Sequence, residues 1–231
     1  MCGRFIASPY SWQELFTRHR DFLNGLDMPM GADDEDGIID SFNVKPTQRI
    51  QMACVANGAL TGSSARWWFV PHWHKGPASD WKATTFNAKI ETAFEKPTFR
   101  TAWDKGRCII PALGYYEWTG TKGKKEPWHI TVGHNAPVFF FAGLWSPLAD
   151  GTRSCAILTR PAAKDIAALH PRMPVILTSD EIAGWLGHAT PNSALIANLG
   201  TGWDGRHSFH RVARFGIRDD GPELIDRADL F

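Results

Sequence analysis

The sequence predicts an α+β fold in a single domain over residues 1–231, mainly antiparallel β with short helices interspersed. Three observations lead there. Strand-like runs follow one another directly between residues 49 and 145, without the regular helix alternation of a parallel α/β sheet. Helical segments are short and bracketed by capping, proline or glycine signals. No internal repeat, low-complexity tract or linker divides the chain, and 231 residues are enough to bury roughly 70% of the unfolded chain's surface.

Along the chain, Ser11-x-x-Glu14 ahead of Leu15 and Phe16 is a capping box, which predicts a short helix ending before an irregular 24–37 loop. That loop carries Asp33, Asp34, Glu35 and Asp36, a run without alternating ligand spacing that reads as solvated rather than cation-binding. Strands follow at 51–56 and 63–70, with an Asn57-Gly58 hairpin signal between them and a stop at Pro71. Pro97 and Gly106 bracket a short helix containing Phe99 and Trp103, before a β-rich stretch over 107–118. After a turn at 120–125, strands are expected at 128–132, at 138–145 as the central strand, and at 154–159. Pro161 opens a helix that stops at His170-Pro171, and 174–177 is strand again. Two further helices follow Ser179 and Thr190, each with a glycine just past its end, Gly187 and Gly200.

Composition removes several function classes. Lys plus Arg is 25 against 24 for Asp plus Glu, so no global field selects nucleic acid or an anionic membrane, and an anionic partner must be held by a local patch. The longest apolar run, 138–145, is far below the roughly 20 residues that span a bilayer. The start, Met-Cys-Gly-Arg-Phe, lacks a secretory pattern, so a cytoplasmic protein is expected, with Cys2, Cys54, Cys108 and Cys155 reduced. Eleven tryptophans exceed what the core needs, and extra indoles suit surfaces that bind something flat.

No Gly-x-Ser-x-Gly elbow, phosphate-binding Gly-x-x-x-x-Gly-Lys-Ser/Thr loop or Gly-x-Gly-x-x-Gly fingerprint occurs. His72 and His74 share one face of an extended segment, but nothing completes a metal site around them, and a structural pair is the better reading. The most informative residue is Cys2. Removal of Met1 would leave an α-amine beside a thiol, a 1,2-aminothiol. An α-amine has a reference pKa near 8, so a useful fraction is neutral at pH 7 and attacks carbonyls. An aldehyde captured as an imine would then be closed by the same residue's thiol into a five-membered thiazolidine.

Six blocks occur in order: Met-Cys-Gly-Arg-Phe at residues 1–5, Phe-Asn-Val-Lys-Pro-Thr-Gln at 42–48, Arg-Trp-Trp-Phe-Val-Pro at 66–71, Phe-Asn-Ala-Lys-Ile-Glu-Thr at 86–92, Gly-Tyr-Tyr-Glu-Trp at 114–118 and His-Pro-Arg-Met-Pro at 170–174. Together they resemble the SRAP family of SOS-response-associated peptidases, and the match extends to Asp-Asp-Gly-Pro-Glu-Leu-Ile at 219–225. The resemblance implies one SRAP-like domain over 1–231, a pseudo-barrel with short peripheral helices and a DNA-binding cleft. It implies that the protein removes its own Met1 and that Cys2 then bonds to the ring-opened aldehyde of an abasic site in single-stranded DNA. By position, Asn87 would orient the Cys2 amine and the open sugar, while Glu117 and His170 would move protons. Arg4, Asn43, Thr159 and Arg172 would line the phosphate path, and Pro46 with Trp67 or Trp68 would form an apolar wedge that splits a flanking duplex.

Two positions depart from the family pattern. Lys89 stands where arginine is usual, which replaces a bidentate phosphate clamp with a point charge. Lys45 stands where alanine is usual, a cation beside the wedge. The expected function is covalent crosslinking to abasic sites in a DNA-damage response of the SOS type, with autopeptidase activity on Met1 and no metal or organic cofactor. Single-stranded DNA with abasic sites is the expected partner and the nucleoid the expected location when bound, with no membrane and no protein partner indicated. Two rivals are a cysteine peptidase acting on other proteins through Cys2 and His170, and a non-covalent reader of single-stranded or modified DNA.

Overall fold

A computed structural model describes residues 2–18, 39–133, 138–187, 190–201 and 206–228. The acidic residues 33–36 lie outside the described residues. Among the described residues, eleven strands join in one sheet: β1 (Phe5–Ala7), β2 (Arg49–Ala56), β3 (Ala59–Trp67), β4 (Asn87–Lys89), β5 (Arg107–Thr119), β6 (Glu126–Val132), β7 (Phe139–Pro147), β8 (Arg153–Pro161), β9 (Arg172–Pro174), β10 (Ile176–Leu177) and β11 (His207–Arg211). Among the described residues, five α-helices flank it: α1 (Trp12–Arg18), α2 (Ile90–Ala93), α3 (Arg100–Lys105), α4 (Ser179–Leu186) and α5 (Asn192–Thr201).

The sheet closes on itself. β7 pairs with β8, β8 with β3, β3 with β2, β2 with β5, and β5 returns to β7. Ring closure satisfies the backbone groups that an open sheet leaves at its edges. Most pairings are antiparallel, and β8 runs parallel to both β3 and β4. β6 and then β11 extend outward from β5, and β1 also lies on β5. This is the α+β pseudo-barrel expected, with the parallel β8 junctions as an addition.

Side-chain alternation divides the core in two. Phe139 and Phe141 of β7, Cys108 and Ile110 of β5, and Cys155 and Ile157 of β8 share one buried cluster inside the ring. Phe140, Ala142, Leu144, Ile109, Ala156 and Leu158 face the other way, into a cluster completed by helix residues such as Trp12, Trp103, Trp185 and Leu195. Both faces of β7 are therefore buried, which is why its sequence is apolar without interruption. Gly143 is needed because a Cβ there would meet the Cys108 sulfur at 2.9 Å and Ile110 at 2.8 Å.

Local signals explain most elements. The capping box at α1 is present, with the Glu14 amide donating to Ser11 Oγ and the Ser11 amide donating to Glu14 Oε2. Asn57 and Gly58 take φ of 52° and 75° and join β2 to β3 as a tight hairpin. Some boundaries differ from expectation. β3 starts at Ala59 and ends at Trp67, earlier than the 63–70 read from sequence, because it pairs along the whole of β2. Residues 162–169 form turns and not a helix, fastened by Ala162 N–H to the Pro171 carbonyl and Ala163 N–H to Met173 Sδ. Gly200 lies within α5 and not beyond it.

Of the described tryptophans, Trp12, Trp67, Trp103 and Trp185 are core, and Trp73 is the most exposed. His74 Nε2 lies 3.1 Å from the Pro77 carbonyl, a structural role.

His129 on β6 is buried between Tyr116 and His210, at ring distances of 5.7 and 5.2 Å. Its Nε2 is buried without a hydrogen-bond partner, and burial, aided by His210, lowers its pKa to about 4. The unfolded chain therefore binds the proton first, so this contribution to stability is present above pH 6.5 and is lost as pH falls toward 4, by about 3 kcal/mol. His129→Gln should flatten this acid limb in melting curves between pH 7 and 4. An unchanged difference from wild type across that range would refute it.

Candidate active site

The site is built where β1, β4 and β5 meet at one end of the ring. β1 lies on β5 with Phe5 opposite Tyr115, which brings the start of the chain beside Glu117. Cys2 is buried and its Sγ lies 3.7 Å from the Arg4 carbonyl. The sequence begins with Met1, so the Cys2 nitrogen is here a peptide nitrogen. Burial first, and then the Glu117 charge, raise the thiol's pKa, so it remains protonated at neutral pH.

Asn87 opens β4, whose pairing with β8 sets Asn87 opposite Ile157. Its Nδ2 donates to the Cys2 carbonyl at 2.7 Å, while its Oδ1 is buried without a partner. That pairing of one engaged donor and one idle acceptor beside Cys2 suits an incoming N–H or O–H. The strand is held from behind: the buried Trp67 indole donates to the Phe86 carbonyl at 2.8 Å, and the Ile157 amide donates to the same oxygen at 3.0 Å.

Glu117 sits on β5 opposite Trp128, only 4% exposed. Burial raises its pKa to about 7, against the lowering effect of the positive chain terminus and of Lys125. His170 Nδ1 lies 3.9 Å from Glu117 Oε1. The same nitrogen is 3.0 Å from the Arg172 amide and 2.9 Å from the Arg172 carbonyl, which fixes the ring plane. Partial burial lowers the imidazole pKa, so it is mostly neutral at pH 7. The pair offers a carboxyl poised at half-protonation and a neutral imidazole, suited to moving protons in either direction.

Glu117 and His170 line a cavity of about 580 Å³ together with Gly3, Arg4, Trp118, Lys125, Arg214 and Phe215 among others, and Cys2 lies buried next to Gly3. Three cations, Arg4, Lys125 and Arg214, stand around it. Arg4 is aimed by a 3.0 Å hydrogen bond from its Nη1 to Asn43 Oδ1.

The remaining residues singled out from sequence divide into two sets. Pro46, Trp68, Lys89 and Arg172 reach the surface, wholly or in part. Pro46 and Trp68 are neighbours because the next residue, Thr47, donates its amide to the Trp67 carbonyl at 2.9 Å. Thr47 has φ 84°, a strained conformation for a β-branched residue. Trp68 rests against Phe86 at 5.6 Å. By contrast Asn43, Trp67 and Thr159 are buried and act from behind. Of the two wedge candidates, Trp68 has the accessible ring. Arg172 makes a bidentate pair with Glu91 at 2.7 and 3.0 Å and donates to the Thr159 carbonyl at 2.6 Å. Lys45 donates to the Ile217 carbonyl at 2.6 Å, so its charge ties down the 214–221 segment.

Sequence reasoning did not single out Trp118, Lys125, Arg214 or Phe215 as site residues. Trp118 stood in a quoted block next to Glu117, and Lys125 stands in a lysine-rich turn, so both had a weak signal. Arg214 and Phe215 stand in an irregular segment with no periodicity.

The model of the family "SOS response associated peptidase (SRAP)" matches residues 1–214, which include Cys2, Asn87, Glu117 and His170 and stop just short of Phe215. The chain is 32% identical to the abasic site processing protein YoqW of Bacillus subtilis, over 98% of this chain and 99% of that one. It is 27% identical to the abasic site processing protein YedK of Escherichia coli, over 97% and 99% of the two chains. A crystal structure of a protein from Bacteroides thetaiotaomicron has the same fold, with a TM-score of 0.77 at 22% identity, covering 98% of this chain and 100% of that one. The chain belongs to the SRAP family, the SOS response associated peptidases.

Proposed function

We propose that this protein recognises abasic sites in single-stranded DNA and captures them covalently through Cys2, after removing Met1. The observation that carries this reading is the meeting of Cys2, Asn87, Glu117 and His170 beside a cation-rimmed cavity. The names of its relatives as abasic site processing proteins support it.

The chemistry follows from the groups present. Water cleaves the Met1–Cys2 peptide bond and leaves the Cys2 α-amine free. The amine nitrogen attacks the aldehyde carbon of the ring-opened sugar and forms a carbinolamine. Glu117 gives the departing hydroxyl its proton, water leaves and an imine remains. The Cys2 sulfur then bonds to the former aldehyde carbon while its proton ends on nitrogen, which completes a thiazolidine. Asn87 holds the Cys2 carbonyl and turns its idle Oδ1 to the new amine, and His170 relays protons to and from Glu117.

In this reading Arg4, Lys89 and Arg172 follow the phosphates, and Pro46 with Trp68 forms the wedge. Asn43, Thr159 and Trp67 hold these groups in place. Incubating the pure protein with an abasic oligonucleotide and running a denaturing gel tests the reading, since a DNA adduct must survive denaturation. Intact mass of the folded protein must also lack Met1.

Noncovalent binding should weaken with salt through a few charge pairs with phosphates. Removing one such cation lowers the steepness of the log–log salt dependence by about 0.7 on a single strand. Arg4→Ala should therefore reduce affinity evenly across sequences and reduce the slope by about that amount. Binding by Arg4→Ala with unchanged affinity and slope would remove Arg4 from the phosphate path.

A further inference from the structure

The cavity contains a wall that the chemistry at Cys2 does not use. Trp118 and Phe215 line it side by side, with ring centroids 5.8 Å apart and planes tilted by 54°. Both are half-buried, so each keeps part of a ring open to the cavity. Rings tilted in this way form an open corner and do not cover one another. Arg4 lies 6.0 Å from the Trp118 ring centre, and Arg214, exposed, borders the same space.

The wall is held rigidly. Phe215 packs on Tyr116 at 4.9 Å. The segment carrying it is latched by the buried amide of Asn43, whose Nδ2 donates to the Gly216 carbonyl at 3.1 Å and to the Asp219 carbonyl at 2.6 Å. On the other side, Asp220 accepts from Ser41 Oγ and from the Phe42 amide, both at 2.7 Å. A surface loop held by a fully buried asparagine and a shared carboxylate is preorganised, so little ordering remains to offset binding.

An abasic sugar offers no flat face to such a corner. The nearest planar group on the strand is the nucleobase of the adjoining nucleotide, and bases stack on aromatic side chains whatever their sequence. A volume of about 580 Å³ falls within the range of pockets that hold whole small ligands, which leaves space for a base beside the open sugar. We propose that Phe215, together with Trp118, is a specificity element that stacks the nucleobase next to the abasic site, with Arg214 holding that nucleotide's phosphate. This rests on the abasic-site reading above and adds to it a requirement for a neighbouring base.

The test uses two abasic oligonucleotides of equal length and charge, one with adenines flanking the abasic site and one with tetrahydrofuran residues in those positions. Adduct formation is followed at limiting protein concentration. Wild type should half-saturate with the adenine-flanked strand at about five- to tenfold lower concentration than with the tetrahydrofuran-flanked strand. Phe215→Leu keeps an apolar side chain against Tyr116 but removes the flat ring, and should lose most of that preference while crosslinking the tetrahydrofuran-flanked strand as wild type does. Phe215→Trp should keep it. Equal use of both strands by wild type, or full preference in Phe215→Leu, would overturn the proposal and leave the abasic-site reading standing. Equal loss on both strands in Phe215→Leu would make the residue structural and also overturn it. No adduct from wild type with either strand would overturn the abasic-site reading itself.

Discussion

Cys2→Ser is expected to abolish the heat-stable DNA adduct while leaving a labile one. The serine variant keeps the α-amine once Met1 is gone, so an imine still forms at the aldehyde carbon. Its hydroxyl is a far weaker nucleophile than the thiol, and the sulfur ring cannot close. An imine is open to hydrolysis and to β-elimination that nicks the strand, whereas a thiazolidine ties up amine and thiol together. Denaturing gels followed with time and heat should show nicked product and little persistent adduct. Cys2→Ala should behave in the same way, and an uncleavable residue before Cys2 should abolish both products because the amine becomes an amide. A persistent adduct from either variant would place the covalent bond elsewhere, with Lys89, exposed at the end of β4, as the next amine to examine.

Glu117→Gln should make the protein slower and more stable at once. Glutamine keeps the shape and a hydrogen-bonding side chain but carries no transferable proton, so adduct formation should fall by roughly 10²- to 10⁴-fold. In wild type the rate should climb as the amine loses its proton and decline as pH rises through about 7, where Glu117 ionises and ceases to act as an acid. The declining limb should be missing from the variant. Stability runs the other way. The carboxyl titrates at about 7 when folded against an ordinary 4.5, so its favourable contribution is full below pH 4.5 and is lost as pH rises through 7. Relative to the variant, wild type should therefore be less stable at pH 8 by roughly 3 kcal/mol, read from denaturant or melting curves. A Glu117→Gln protein that melts below wild type at pH 8, or crosslinks at an unchanged rate, would contradict this account.

The strands were legible where the signal was local. The Asn57-Gly58 turn and the apolar run of β7 needed no tertiary information. β1, β4 and β9 are three residues each and exist only because they lie on β5 or β8. No periodicity can appear in so short a segment. The helix expected after Pro161 failed for a related reason: its composition suits a helix, but the β8–β9 pairing returns the chain at Arg172, and hydrogen bonds to Pro171 and Met173 impose turns. At the site, Cys2, Asn87, Glu117 and His170 were visible as blocks of sequence. That Trp67 and Asn43 work from beneath the surface, and that Phe215 walls the cavity, depends on hydrogen bonds spanning much of the chain.

The closed ring also governs when the site can exist during synthesis. Glu117 lies on β5 in mid-chain, but β5 is enclosed only when β7 arrives, and β4 finds its place only on β8. His170 comes later still. A nascent chain therefore emerges with an ordinary thiol at Cys2 and an ordinary carboxyl at Glu117, since the burial that shifts both is not yet built. Long-range strand pairing of this kind is slow compared with local folding. Premature or truncated products thus lack the burial that shifts both groups, and the constellation of Cys2, Asn87, Glu117 and His170 exists only in chains that have been made and folded to the end of the barrel.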